Sequence, residues 1–146
     1  MIKGENINLR VVRESDLDAL FELHSDLERR GEFYPLDLPS ETEFKKRFRE
    51  DGFWGPDFGR LLIVGKEDGR TIGGIWYFKS VPYYDALEIG YILYDEASRN
   101  RGIMTEALLL LVRYLFDTKK VNRLQLTTIV GNAASKRVAE KCGFRS

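Results

Sequence analysis

The feature that most narrows the possible folds is a strand–helix–strand succession in the second half of the chain. Leu87 to Tyr94 (LEIGYILY) reads as a strand, Met104 to Thr118 as a long leucine-rich helix, and Leu124 to Val130 (LQLTTIV) as a strand of alternating polarity. Two strands joined through a helix of that length lie parallel, and the crossover between them is right-handed. The link that opens the helix is Arg99-Asn100-Arg101-Gly102-Ile103-Met104-Thr105-Glu106-Ala107. A glycine where a loop enters a helix lets backbone approach a ligand closely. The first helical turn has N–H groups without intrahelical partners and carries the positive end of the dipole. A short basic loop at that point suits a diphosphate or a similar anion. Taken alone, the stretch is equally compatible with a tight turn at Gly102 between two solvated arginines.

The rest of the chain supplies a sheet for this unit to join. Asn6 to Arg13 (NINLRVVR) alternates Ile7, Leu9 and Val11 with polar neighbours, which predicts a half-buried strand. Ser15 reads as the N-cap of an amphipathic helix through Leu17, Leu20, Phe21, His24 and Leu27 to about Arg29. His24, the only histidine, lies on the apolar face; with no second metal or triad partner at hand, packing or a place at the rim of that face is its expected role. Gly31 to Pro39 reads as a loop, and Ser40-Glu41-Thr42-Glu43 as a capping box for a short helix bearing Phe44 and Phe48. Gly52 to Gly59 (GFWGPDFG) predicts a loop whose Trp54 and Phe58 cap the core or line a site. Leu61–Lys66 and Thr71–Phe78 form a hairpin around Asp68-Gly69, with Gly73-Gly74 marking a bulge or a close approach. The chain closes on a last helix from Asn132 or Ala133, with Gly143 as its C′ residue.

The predicted order is β-α-α-β-β-β-α-β-α: an α/β (α+β layered) fold, its mixed, mostly antiparallel sheet covered by helices. At 146 residues one domain over 1–146 is expected, long enough to bury a core. Equal numbers of acidic and basic residues, 23 of each, give no basic field for nucleic acid. No apolar run approaches the roughly 18 residues of a membrane span, and nothing reads as a signal peptide. The single cysteine, Cys142, excludes an internal disulfide and suits a cytoplasmic protein. Gly59 to Lys66 superficially resembles a phosphate-binding P-loop, but the glycine spacing and Glu67 after the lysine exclude it. With one His and one Cys, a Ser-His-Asp triad or a zinc site lacks parts, so the chemistry falls to carboxylates, hydroxyls, amides and backbone, without a metal.

Three segments together resemble the GNAT superfamily of N-acetyltransferases, and within it the ribosomal-protein alanine N-acetyltransferase (RimJ/RimL-like) group. Glu88-Ile89-Gly90-Tyr91 resembles the group's fourth-strand signature. Arg99-x-x-Gly102-x-Met104 resembles the acetyl-CoA pyrophosphate motif, with Met104 where Gly or Ala is usual. Asn132-x-x-Ser135, followed by Ala139-Glu140-Lys141-Cys142-Gly143-Phe144, resembles the late helix that ends in Gly-Phe. The resemblance covers nearly the whole chain. It implies a sheet whose parallel central strands splay apart, with acetyl-CoA as co-substrate entering the gap and Gly90 at a bulge there.

The resemblance also implies direct acetyl transfer to an amine. The amides of Gly102, Ile103, Met104 and Thr105, helped by Arg99, Asn100 and Arg101, would hold the pyrophosphate. The edge at Ile92 and Leu93 would pair with the pantetheine amides. Glu88 is the candidate base, Asn132 would bind the cofactor arm or orient water, and Ser135 would protonate the leaving thiolate, since Ala139 stands where many members have a tyrosine acid. Glu88 is equally compatible with a structural ion pair, and Asn132 and Ser135 with a helix-start contact. Where the chain reaches Ser146 the family continues with one or two further strands. Without them, sheet edges would favour a homodimer. The acceptor is expected to be a protein N-terminus or a small amine, with Glu32, Phe33, Tyr34, Trp54 and Tyr84 as loop candidates. A catalytically silent acyl-CoA-binding sensor and a plain interaction domain are the alternatives.

Overall fold

The computed structural model describes residues 1–25, 40–79, 86–94, 102–119, 123–126, 140 and 143–144. Strands β1 (Ile2–Lys3), β2 (Ile7–Val11), β3 (Phe58–Gly65), β4 (Thr71–Phe78), β5 (Ala86–Leu93) and β6 (Arg123–Leu126) lie side by side in chain order in one sheet. Neighbours are antiparallel from β1 to β5, and β5 pairs with β6 in parallel. Helices α1 (Leu17–Ser25) and α2 (Glu41–Asp51) cover one face and α3 (Ile103–Lys119) the other. The layered mixed sheet and the parallel crossover are those the sequence predicts. No described helix is long and apolar enough to cross a membrane.

Two cores follow from the strand alternation. Leu61, Leu62, Ile63 and Val64 in β3 are all buried, the near-continuous apolar pattern of a strand covered on both faces. Leu61 and Ile63 join Ile7, Leu9, Ile75, Tyr77, Leu87 and Ile89 under α3. Leu62 and Val64 join Val12, Leu17, Leu20, Phe44, Phe53 and Tyr94 under α1 and α2. From α3 come Met104, Ala107, Leu108, Leu111 and Leu115, the spacing that keeps one stripe of a helix on a sheet. Burial of each of these leucines and of Met104 contributes about 1.5–3 kcal/mol.

Several local expectations change. The two-residue β1 is too short to show a period, and the sequence does not reveal it. Val11 is 38% exposed and Val12 is buried. The strand ends there, and the chain turns into a 3-10 segment, Glu14–Asp16, which drops Val12 onto the opposite face. Ser15 is therefore not an N-cap. Asp16 closes the turn instead, its carboxylate accepting from the Arg13 backbone N–H at 2.7 Å and from Arg10 at 2.7 and 2.9 Å. The continuation of α1 to Arg29 lies outside the described residues.

Other signals are realised as read. Ser40 Oγ accepts from the Glu43 amide at 3.1 Å at the start of α2. The helix stops at Gly52, in the left-handed region with φ +68°, as a C-terminal glycine does. The hairpin turns at Gly69 (φ +69°), where Asp68 accepts from the Arg70 amide at 3.0 Å. Its register slips between Ile63 and Val64, which pair with Gly73 and Thr71, so the bulge falls beside the glycine pair. β3 begins at Phe58, because Gly59 bridges Trp54 and the ladder extends earlier than the glycine-rich stretch suggests.

Candidate active site

The loop–helix junction keeps its two predicted parts. Gly102 is exposed with φ +73°, and its carbonyl accepts the first helical bond, from the Glu106 amide at 3.0 Å. No atom of the described residues lies within 4 Å of where a Cβ would stand, and the left-handed backbone conformation calls for glycine. Met104 is 6% exposed and packs into the core beneath α3, with Ile103 against the same cluster. Only the Met104 backbone is left toward the loop. Thr105 is half-buried. Arg99, Asn100 and Arg101 lie outside the described residues.

Glu106, in the first turn of α3, ties this helix end to the β1–β2 turn. Its carboxylate accepts from the Asn6 amide at 3.1 Å, the Asn6 side chain at 3.0 Å and the Ile7 amide at 3.1 Å. Burial pushes its pKa up, but these donors outweigh burial and hold the carboxyl below the usual range. The turn is closed enough at Gly4 that a Cβ there would strike the Glu106 carboxylate and the Ile7 carbonyl.

β5 presents two different faces. Leu87 and Ile89 point under α3, whereas Ile92 and Tyr94 pack on the α1/α2 side, so by alternation Glu88 and Gly90 share the second face. Glu88 is half-buried, paired with Phe78 in β4 and Gln125 in β6. Ile92 and Leu93, opposite Gly74 and Gly73, are half-buried. The β5–β6 ladder runs from Ala86–Arg123 to Ile89–Leu126; the splay expected beyond it lies outside the described residues. Gly90 is not at a bulge in the β4–β5 ladder, which passes through it without a shift. The glycine is there because the Trp76 indole lies over it, with Nε1 2.5 Å from where a Cβ would stand.

The sequence does not reveal the residues that share this face with Glu88. Arg60 pairs across the ladder with Trp76, and Trp76 with Gly90. The guanidinium sits 5.3 Å from the Trp76 ring centroid, and its Nη2 lies 3.0 Å from His24 Nε2. The Tyr94 hydroxyl is 3.3 Å from the same nitrogen, and the imidazole meets Phe44 edge-on at 5.6 Å. His24 thus has the packing role expected of it. The available signal was Arg60 in phase with the inward-pointing Leu62 and Val64.

Among the acceptor candidates, Trp54 belongs to the other face, against Tyr77 and Tyr114 at 5.7 and 6.0 Å. The loop folds back under α3, where the Tyr77 hydroxyl donates to the Gly55 carbonyl at 2.6 Å. Glu32, Phe33, Tyr34 and Tyr84 lie outside the described residues, as do Asn132 and Ser135. Of the predicted late helix, Glu140 is helical, and Gly143 (φ +87°) donates to its carbonyl at 3.0 Å.

The parallel pair, β5–β6, lies at the edge of the described sheet rather than at its centre as the resemblance implied; this mixed sheet, and a glycine-initiated helix following the strand that carries Glu88, fit a layered acyl-CoA N-acyltransferase fold. The chain belongs to the Acetyltransferase (GNAT) domain family, which matches residues 6–145. It is 32% identical over 158 residues to the probable N-acetyltransferase YjcK of Bacillus subtilis, spanning 99% of this chain and 83% of that one. It is 26% identical over 145 residues to the ribosomal-protein-serine acetyltransferase of Escherichia coli, spanning 97% and 80%. A solved ribosomal L7/L12 alpha-N-protein acetyltransferase in complex with coenzyme A shares the fold, with TM-score 0.75 at 24% identity, over 98% of this chain and 82% of that one.

Proposed function

We propose that this chain, as one domain, is an N-acetyltransferase that moves the acetyl group of acetyl-CoA directly to a primary amine. One juxtaposition carries the reading: Glu88 sits on the strand that leads to Gly102 and the start of α3. The amides of Gly102, Ile103, Met104 and Thr105 would hold the diphosphate, with Arg99, Asn100 and Arg101 neutralising its charge. The β5 backbone at Ile92 and Leu93 would direct the pantetheine arm toward Glu88.

An ammonium has no lone pair, so the acceptor must first lose a proton. Glu88, directly or through water, takes it. The amine nitrogen then attacks the thioester carbonyl carbon, the C–S bond breaks, and the new amide forms. The departing thiolate takes a proton from Ser135, the new amide nitrogen gives up its second proton to restore the Ser135 hydroxyl, directly or through water, and Asn132 orients the arm or the water.

Release of free CoA thiol, followed colorimetrically with a panel of primary amines, tests the reading. Amine-dependent release is the expected result. Saturable acetyl-CoA binding without release by any amine would leave a silent acyl-CoA-binding module instead.

A further inference from the structure

We infer that Glu106 is a positioning residue for the cofactor: by locking the first turn of α3 to the β1–β2 turn, it sets the register in which the amides of Gly102 to Thr105 face the diphosphate. The inference rests on the acetyltransferase reading above. One residue holds the helix start from two sides. The Glu106 backbone N–H donates to the Gly102 carbonyl at 3.0 Å. Its carboxylate accepts from the Asn6 amide, the Asn6 side chain and the Ile7 amide at 3.1, 3.0 and 3.1 Å.

The far end of this clamp is itself fixed. The Gly4 N–H donates to the Ile7 carbonyl at 2.9 Å and closes the turn. Lys66, just past the end of β3, donates from Nζ to the Gly4 carbonyl at 2.6 Å and from its backbone N–H to the Asn6 carbonyl at 3.4 Å. A Cβ at Gly4 would meet the Glu106 carboxylate, the Ile7 carbonyl and Leu110 of α3, so turn and helix are in close contact. The turn is thus tied to β3, and Glu106 carries that fixed point to the start of α3.

Met104, Ala107 and Leu108 hold the same helix end by packing on the sheet. Apolar burial is non-directional, so it opposes separation but only weakly opposes a slide or a small rotation of the helix. Hydrogen bonds specify distance and angle, and Glu106 supplies that restraint. Amides held in place before the ligand arrives bind it more tightly than amides that must be ordered.

The charge of Glu106 separates the possible roles by sign. A carboxylate near an anion opposes its binding through space, so charge alone would make Glu106→Gln bind acetyl-CoA more tightly. A purely structural role would leave the affinity of the folded variant unchanged. Positioning predicts weaker binding.

The test is titration calorimetry of acetyl-CoA into wild type and variants, well below their melting temperatures, with circular dichroism showing each to be folded. Glu106→Gln should raise Kd about tenfold, the scale of a misplacement somewhat under 1 Å. In CoA-release assays the KM for acetyl-CoA should rise by the same factor, with kcat and the KM for the amine within about twofold of wild type. Glu106→Asp keeps the carboxylate and should recover part of the loss. Asn6→Ala removes one donor and should weaken binding about threefold, the scale of one hydrogen bond. Combined with Glu106→Gln it should add little, because both act through one contact. Val64→Ala, destabilised in the opposite core, should bind as wild type does. Equal or tighter binding by Glu106→Gln, unchanged affinity in Asn6→Ala, additive losses in the double variant, or comparable weakening by Val64→Ala each overturns the inference. Failure of wild type to bind acetyl-CoA would instead strike the acetyltransferase reading, and the inference with it.

Discussion

At the scale of single residues, the account depends on Gly102 and Glu88. No described residue crowds Gly102, so a bulky residue there, although strained by the left-handed backbone, is directed away from the described core and would occupy the approach to the α3 amides. Gly102→Trp is therefore expected to weaken acetyl-CoA binding at least tenfold while the circular dichroism spectrum stays that of wild type; unchanged affinity would remove the loop from the cofactor site. Glu88→Gln keeps the size of the side chain and removes the base. Turnover should fall about 10²–10⁴-fold, the contribution of a positioned general base, with acetyl-CoA affinity unaltered; wild-type kcat would exclude Glu88. The left-handed turn at Gly102 was legible in the sequence because it has a local cause, whereas Glu88 was singled out by its resemblance to the fourth-strand signature. The contacts of Arg60 with Trp76 and His24 were not legible, since they arise only when β3, β4 and α1 are brought together. Gly90 was legible as special but for the wrong reason: a one-dimensional reading cannot show Trp76 lying over it.

At the scale of elements, the start of α3 is held by Glu106. Its carboxylate accepts N–H donors from Asn6 and Ile7, and a glutamine there would keep one acceptor and aim an NH₂ group at the same donors. Glu106→Gln is expected to cost on the order of 1–2 kcal/mol, since the site is partly exposed to solvent. That corresponds to a fall of several degrees in Tm. Because the folded-state pKa lies below the ordinary value of 4.5, the stabilisation is complete above that value and is lost as pH falls through the depressed folded pKa. Thermal melts of wild type and variant should thus be well separated at pH 7 and converge in acid; a constant separation would contradict the clamp. The elements themselves were largely readable. Capping at Ser40, the hairpin at Gly69 and the stripe of α3 are local patterns that tertiary packing does not override. The end of β2 was not readable, because the exchange of Val11 for Val12 reflects where the chain leaves the sheet.

At the scale of the whole molecule, the sheet separates a large core under α3 from a smaller, aromatic one under α1 and α2. Leu108 is fully buried in the first, and Leu108→Ala should cost about 2–5 kcal/mol, read from chemical denaturation; a loss under 1 kcal/mol would mean that α3 is not the lid of that core. The fold was legible because the strand–helix–strand unit and the hairpin leave few ways to order the strands. The aromatic and polar face beside Glu88 was less legible, since it is assembled from α1, β3, β4 and β5 together.

The central claim is that the Gly102 junction and β5 form an acetyl-CoA site. Titration calorimetry of acetyl-CoA into the 146-residue chain tests it most directly. The account predicts saturable binding near one molecule per chain, lost in Gly102→Trp. Absence of binding to the folded wild-type protein, or equal binding to wild type and Gly102→Trp, would contradict it.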